Sequence, residues 1–247
     1  MNDDDLRFGG LARLYGADGL QRLLQSRVCV VGIGGVGSWA AEALARSAVG
    51  HITLVDLDDV CLSNVNRQLH ALDGTIGRPK VEVMAERIRA IHPACEVRAV
   101  PEFFNEATAK EILATGFEFV LDAIDQVTNK CLLIARCRQK EIPIVCAGGA
   151  GGRRDPAAIQ VADLAQTSHD ALLQKVRKKL RDAHGFARDP KTPFGVQCVF
   201  SAEPATAPAS GCTGRVTCDN GYGTAGFVTG TMGLVAASRI VSKIAAG

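Results

Sequence analysis

No C-x-x-C pair occurs in this sequence, although it carries nine cysteines, at positions 29, 61, 95, 131, 137, 146, 198, 212 and 218. That absence excludes the standard zinc ribbon and the thioredoxin-type redox motif, both of which are built on such pairs. A targeting peptide is not expected either, because Met1 to Asp5 is acidic and lacks an apolar stretch. With no secretory signal, an odd cysteine count reads as reduced thiols and a cytoplasmic location. Repeats at solenoid spacing and low-complexity tracts are missing as well. So is any large excess of one charge, the net value being +2 over 247 residues. With 47% hydrophobic and 22% charged residues, the composition excludes a disordered, collagenous or coiled-coil chain. The length suits one large or two small domains with a real core.

What is present is an alternation of short apolar runs and helical periods. Arg27 to Val31 (RVCVV) reads as a buried strand, Val36 to Ser47 as a helix that starts directly after glycines, and His51 to Asp56 as a second strand. Val81, Met84, Ile88 and Ile91 recur at helical spacing and predict a helix from Lys80 to Ile91. Strands are further predicted at Glu96 to Val100, Phe117 to Leu121 and Ile142 to Cys146, with helices near Glu106–Ala114 and Val127–Lys140. Strands alternating with helices predict an α/β fold, a Rossmann-like, doubly wound and mostly parallel sheet. The expected division is residues 1–152, an N-terminal arm and nucleotide-binding part, and residues 153–247, a C-terminal part continuous with the same fold.

The C-terminal part follows a glycine run, Gly148 to Gly152. A basic helix is expected from Asp170 to Asp182, a strand at Gly195 to Phe200, and a loop over Glu203 to Gly223, rich in Pro, Ala, Ser, Thr and Gly. An apolar helix from Thr224 to Ile244 closes the chain. Arg239 and Lys243 leave an uninterrupted run too short for a stable membrane span, whereas Gly226, Gly230 and Gly233 suit packing against another helix. A buried or subunit-interface helix is expected there, with peripheral membrane association as the lesser reading.

Gly32-Ile33-Gly34-Gly35-Val36-Gly37 satisfies G-x-G-x-x-G between a predicted strand and a predicted helix. Glycines at 32, 34 and 37 allow a tight turn and a close backbone approach, and the helix N-terminus offers N–H donors to a phosphate. Asp56 lies 22 residues beyond Gly34, at the end of the next strand, where a carboxylate accepts ribose hydroxyls. Which nucleotide binds is decided by the stretch that follows. A long aperiodic segment carries Asn66-Arg67-Gln68 and ends on Lys80, and Asp122-Ala123-Ile124-Asp125 closes the fourth strand. Two cations and two carboxylates around one loop suit a triphosphate with magnesium: Arg67 and Lys80 on the phosphates and Asp125 on the metal. A dinucleotide carries less phosphate charge and needs no magnesium, which disfavours a nicotinamide-dependent oxidoreductase.

The run from Gly32 to Lys80 resembles the adenylation domain of the ubiquitin-activating-enzyme-like superfamily, which includes the enzymes that adenylate sulfur-carrier proteins. Its glycine loop, D-x-D (Asp56 and Asp58), N-x-x-R-Q, P-K and strand-terminal D-x-x-D are present in order. The resemblance implies a nucleotide site of Gly32, Gly34, Gly35, Gly37, Asp56, Asp58, Asn66, Arg67, Gln68, Lys80 and Asp122. Arg67, Lys80 and Asp125 would be catalytic, with Mg2+ on Asp125 and ATP as cosubstrate. RFGGLARLYG at residues 7–16, Asp155-Pro156 and Cys198-Val199-Phe200-Ser201 narrow it to the tRNA threonylcarbamoyladenosine dehydratase family. That family implies ATP-dependent cyclisation of the threonylcarbamoyl group on adenosine 37 of tRNA. A homodimer, a bound monovalent cation (Na+ or K+) and a cysteine-desulfurase or sulfur-acceptor system are implied alongside it. The superfamily's N-terminal arginine, which reaches the neighbouring subunit's ATP, corresponds to either Arg7 or Arg13.

Lys175, Arg177, Lys178, Lys179 and Arg181 lie on the predicted basic helix, opposite an apolar stripe of Leu172, Leu173, Val176 and Leu180. Five cations within seven residues are read as a tRNA phosphate surface, which Arg153 and Arg154 would extend. Adenylation of the C-terminal glycine of a small sulfur-carrier protein is the alternative activity. It is disfavoured by the missing paired zinc cysteines. A non-catalytic nucleotide-binding scaffold is disfavoured by the retained phosphate and metal residues. A thioester on Cys198, Cys212 or Cys218 is a rival second step, set against the commoner role of cysteine as a small buried residue.

Overall fold

Residues 3–189, 191–206 and 222–247 are described by the computed structural model. Cys212, Cys218 and most of the predicted loop over 203–223 lie outside the described residues. Helix α1 (Asp3–Gln25), broken at Gly16, leads into β1 (Arg27–Val31), α2 (Gly37–Arg46) and β2 (His51–Val55). Next come α3 (Lys80–Ile91), β3 (Glu96–Val100), the single turn α4 (Ala109–Ile112), β4 (Phe119–Asp122), α5 (Val127–Gln139) and β5 (Ile144–Ala147). The chain continues through β6 (Ile159–Asp163), α6 (Ala171–Ala183), β7 (Gln197–Ser201) and α7 (Gly226–Ala246).

The strands form one sheet in the order β3-β2-β1-β4-β5-β7-β6, parallel throughout except for β6, which pairs antiparallel with β7. The expected doubly wound sheet is present. Along β1, Val28 and Val30 enter one hydrophobic core and Cys29 and Val31 the other, so both faces are covered. This is why RVCVV reads as an unbroken apolar run rather than an alternation. Residues of α1, α2, α3 and α7 share the first core, and those of α4, α5 and α6 share the second.

Three elements differ from expectation. The N-terminal segment forms α1, which places Leu20 and Leu23 in the core; its glycines and acidic start mask the helical period. Edge strand β6 is half-buried at most of its positions and lacks the apolar density of the central strands. The predicted helix at 106–114 contracts to the turn of α4.

Helix α7 is buried along one face, through Val228, Met232, Ala236 and Ile240, and no described helix is long and apolar enough to cross a membrane. It crosses α2 closely at Gly233, where a Cβ would stand 2.5 Å from the Val36 carbonyl oxygen and 2.9 Å from the Ala40 nitrogen. Backbone, unlike a flexible side chain, cannot step aside. Gly233→Val is therefore expected to cost about 2–3 kcal/mol of stability through overpacking. Urea unfolding checks this, and an unchanged midpoint would refute the close crossing.

Candidate active site

The sheet order reverses at β1, whose neighbours are β2 on one side and β4 on the other. In open parallel sheets a ligand crevice lies outside the carboxyl ends of the strands at such a point. Here the glycine loop follows β1, Asp56 follows β2, Asp122 ends β4 and Asp125 lies three residues on. Gly37 opens α2 with its Cα against β1: a Cβ there would overlap the Gly32 carbonyl oxygen. The loop therefore turns within a space only glycine fits.

Asp56 joins loop and strand. Its Oδ2 accepts from the Ile33 N–H (2.6 Å) and its Oδ1 from the Asp58 N–H (2.9 Å). Burial raises its carboxyl above the usual range, against the pull of Lys80 and of those two amides. The aperiodic segment folds back on itself through Val60 N–H to Arg78 O, Gly77 N–H to Val60 O and Lys80 N–H to Asp58 O. That closure carries Lys80 to Asp58, where Nζ lies 2.8 Å from Oδ2. Lys80 is buried although it begins a helix, while the Asp58 carboxylate is half exposed.

Arg67 is half-buried, and its Nη1 donates to the Ser63 carbonyl (2.6 Å) and to Asn66 Oδ1 (3.0 Å). Asn66 Nδ2 donates in turn to Thr224 O (2.8 Å). Gln68 is buried beside Gly34, and its Oε1 has no partner among the described residues. On the other side of the loop, Asp122 is fully buried and forms an ion pair with Lys130 (Nζ to Oδ2, 3.0 Å). Burial pushes the Asp122 carboxyl up while Lys130 opposes it. Lys130 also donates to the Ile124 carbonyl (3.1 Å), and Asp122 Oδ1 accepts the Ile124 N–H (3.0 Å). The turn leading to Asp125 is thereby pinned at both ends.

Asp125 is exposed, and its carboxylate has no partner among the described residues. No group of three or more His, Cys, Asp or Glu side chains able to hold a metal is found among the described residues. One uncommitted carboxylate fits magnesium, which takes one or two carboxylates and completes its shell with phosphate oxygens and water.

A model of the ThiF family matches residues 10–246. The chain belongs to the ThiF family. It is 48% identical to a tRNA threonylcarbamoyladenosine dehydratase of Haemophilus influenzae, covering 99% of this chain and 95% of the relative. A crystal structure of the Escherichia coli tRNA N6-threonylcarbamoyladenosine dehydratase in complex with ATP superposes with a TM-score of 0.91 at 48% identity, over 99% of this chain and 96% of that one. The Escherichia coli molybdopterin-synthase adenylyltransferase is 36% identical over 55% of this chain and 54% of its own. The resemblance read from the motifs is borne out, and the dehydratases match over far more of the chain than the sulfur-carrier enzyme does.

In this ThiF-family chain the basic residues of α6 divide. Lys175 and Lys178 are exposed, whereas the other three are half-buried and engaged. Arg177 donates to the Thr167 hydroxyl, Lys179 to the Thr128 hydroxyl (2.9 Å), and Arg181 to the Ala187 carbonyl (3.1 Å) while its guanidinium lies over the Phe194 ring. Arg153 is not available to a phosphate surface. It is buried, donates to the Gly149 and His169 carbonyls and faces Asp170, which caps α6. Arg154 is exposed. Cys198 is fully buried in β7 beside Cys146 of β5, the environment of a core residue rather than of an accessible nucleophile.

Lys130 and His70 went unnoticed in the sequence. A lysine inside a helical period gives no sign that it points inward, and His70 lies in an aperiodic stretch. His70 is buried near Lys80 with no hydrogen-bond partner for either ring nitrogen among the described residues. Burial, reinforced by Lys80, lowers it to about 4. The unfolded chain binds a proton at His70 below about pH 6.5, and the folded chain does so only below about pH 4. Stability from His70 is thus complete above pH 6.5 and is lost as pH falls toward 4, by up to about 3 kcal/mol. Urea unfolding at pH 7 and pH 4.5 is expected to show a smaller acid loss in His70→Gln than in the parent. Equal losses would contradict this.

Proposed function

We propose that this chain is an ATP-dependent tRNA threonylcarbamoyladenosine dehydratase that closes the threonylcarbamoyl group on adenosine 37 through an acyl-adenylate. The observation that carries this reading is the near full-length correspondence with dehydratases, joined to a glycine loop ringed by Asp56, Arg67, Lys80 and Asp125. The substrate carboxylate attacks the α-phosphate of ATP and pyrophosphate departs. The carbamoyl nitrogen or oxygen then closes on the activated carbonyl and AMP departs, for a net loss of one water from the nucleoside. No covalent enzyme intermediate is required, in keeping with the burial of Cys198.

The work of the protein is positioning and charge neutralisation. The glycine-loop amides and the start of α2 receive phosphate oxygens, and Asp56 accepts from the ribose. Arg67 and Lys80 neutralise the triphosphate, with Lys80 held in place by Asp58. Asp125 would hold magnesium, which supplies further positive charge to the phosphates. Of the two N-terminal arginines, Arg7 is committed to the Ile91 carbonyl (3.2 Å), while Arg13 is exposed with no partner among the described residues. We therefore assign Arg13 the reach toward the ATP of a partner subunit in a homodimer. Lys175 and Lys178 present the free charge of α6 to tRNA in the cytoplasm, and Lys179 at Thr128 ties that helix to the start of α5, just beyond Asp125.

Incubation with ATP, magnesium and threonylcarbamoylated tRNA, followed by nucleoside mass analysis, is expected to give a product lighter by one water. Lys80→Ala and Asp125→Ala should each lower the rate at least about 100-fold. Pyrophosphate exchange that requires a small carrier protein instead of tRNA would overturn the reading in favour of sulfur-carrier adenylation. Lys175→Gln combined with Lys178→Gln is expected to weaken tRNA binding and reduce the salt slope by about 1–2. An unchanged slope across a salt titration would remove α6 from the tRNA surface.

A further inference from the structure

Arg67 is held by its backbone as well as by its side chain. Its carbonyl oxygen lies 3.2 Å from the indole Nε1 of Trp39 on α2 and 3.2 Å from the Thr229 hydroxyl in the first turn of α7. A carbonyl oxygen has two lone pairs and accepts both donors. The Thr229 hydroxyl has the Gly226 carbonyl, also at 3.2 Å, as a second acceptor within its own helix. The residues around Arg67 are tied to the same two helices. Asn66 Nδ2 donates to Thr224 O just before α7, and the Leu69 N–H donates to Ser38 Oγ on α2 (3.3 Å). The Thr229 methyl completes the junction: a Cβ on Gly35 would stand 3.0 Å from Thr229 Cγ2 and 3.6 Å from Arg67 Cγ. Glycine loop, arginine stem and terminal helix therefore meet at Thr229, which is buried.

We propose that Trp39 and Thr229 are positioning residues for Arg67, which makes the first turn of α7 part of the nucleotide-binding apparatus. The inference rests on the reading of Arg67 as a triphosphate ligand. An arginine side chain has several rotatable bonds, so its guanidinium is placed only as well as its backbone is anchored. A displacement of about 1 Å at such a group is enough to cost much of its contribution. Neither Trp39 nor Thr229 touches the reacting atoms; each acts through the Arg67 carbonyl.

Trp39 is the only tryptophan in the chain, so its fluorescence reports on this junction directly. Thr229→Val keeps the shape of the side chain and removes the donor. It is expected to weaken ATP binding about five- to tenfold in a Trp39 fluorescence titration, to raise KM for ATP more than it lowers kcat, and to be rescued by Thr229→Ser. If Thr229→Val does not fold, Trp39→Phe removes the other donor while keeping an aromatic side chain, with ATP affinity read by calorimetry. Parent-like ATP affinity in the donor-less variant would overturn the proposal. Arg67→Ala separates the two levels: if it weakens ATP binding and Thr229→Val does not, only the positioning role fails. If Arg67→Ala leaves ATP affinity unchanged, the assignment of Arg67 fails and takes the positioning role with it.

Discussion

The rest of the molecule depends on one constraint: parallel strands all end on the same edge of the sheet, and the order of these strands reverses at β1. β2 and β4 flank β1, so the segments leaving all three emerge side by side. The glycine loop, Asp56 and the turn from Asp122 to Asp125 become neighbours although they are spread over almost a hundred residues. Had Gly37 carried any side chain, it would collide with the Gly32 carbonyl, and α2 could not begin so close to the end of β1.

Charge burial around this edge follows a consistent logic. Lys130 and Asp122 lie inside the sheet–helix layer with no exposed surface, where an unpaired charge is costly and a pair with extra hydrogen bonds is tolerated. They spend their interactions on the turn that presents Asp125. Lys80 is buried with its ammonium on a half-exposed carboxylate, so its charge remains close to solvent. Arg153 faces Asp170, whose oxygens also cap α6 and accept the Gly149 N–H, so this buried pair holds the glycine run against the start of α6. The net charge of +2 is thus an average over buried pairs, the mixed acids and bases around the glycine loop, and the exposed Lys175 and Lys178 of α6.

The central strands, α3 and the motif residues were legible in the sequence because each leaves a local signature. Glycines lie at the spacing a tight turn needs, apolar residues recur at helical period through α3, and unbroken apolar runs mark strands buried on both faces. What escaped notice has no such signature. Helix α1 mixes glycines into its apolar face, and β6 is an edge strand with a half-buried pattern. On α6, which cations are free depends on Thr167, Thr128 and Phe194, residues remote in the chain.

By itself the sequence determined the class of fold, the glycine-rich loop between β1 and α2, the order of the charged motif residues and the absence of C-x-x-C pairs, since spacing alone encodes these. Only the tertiary structure decided that Lys130 turns inward to hold Asp122, that Arg153 is a strut, and that Trp39 and Thr229 meet on one carbonyl of Arg67. Those contacts join residues 8 to 162 positions apart. A hydrogen bond between distant residues leaves no periodicity in the chain. It exists only once sheet order and helix packing have brought donor and acceptor together.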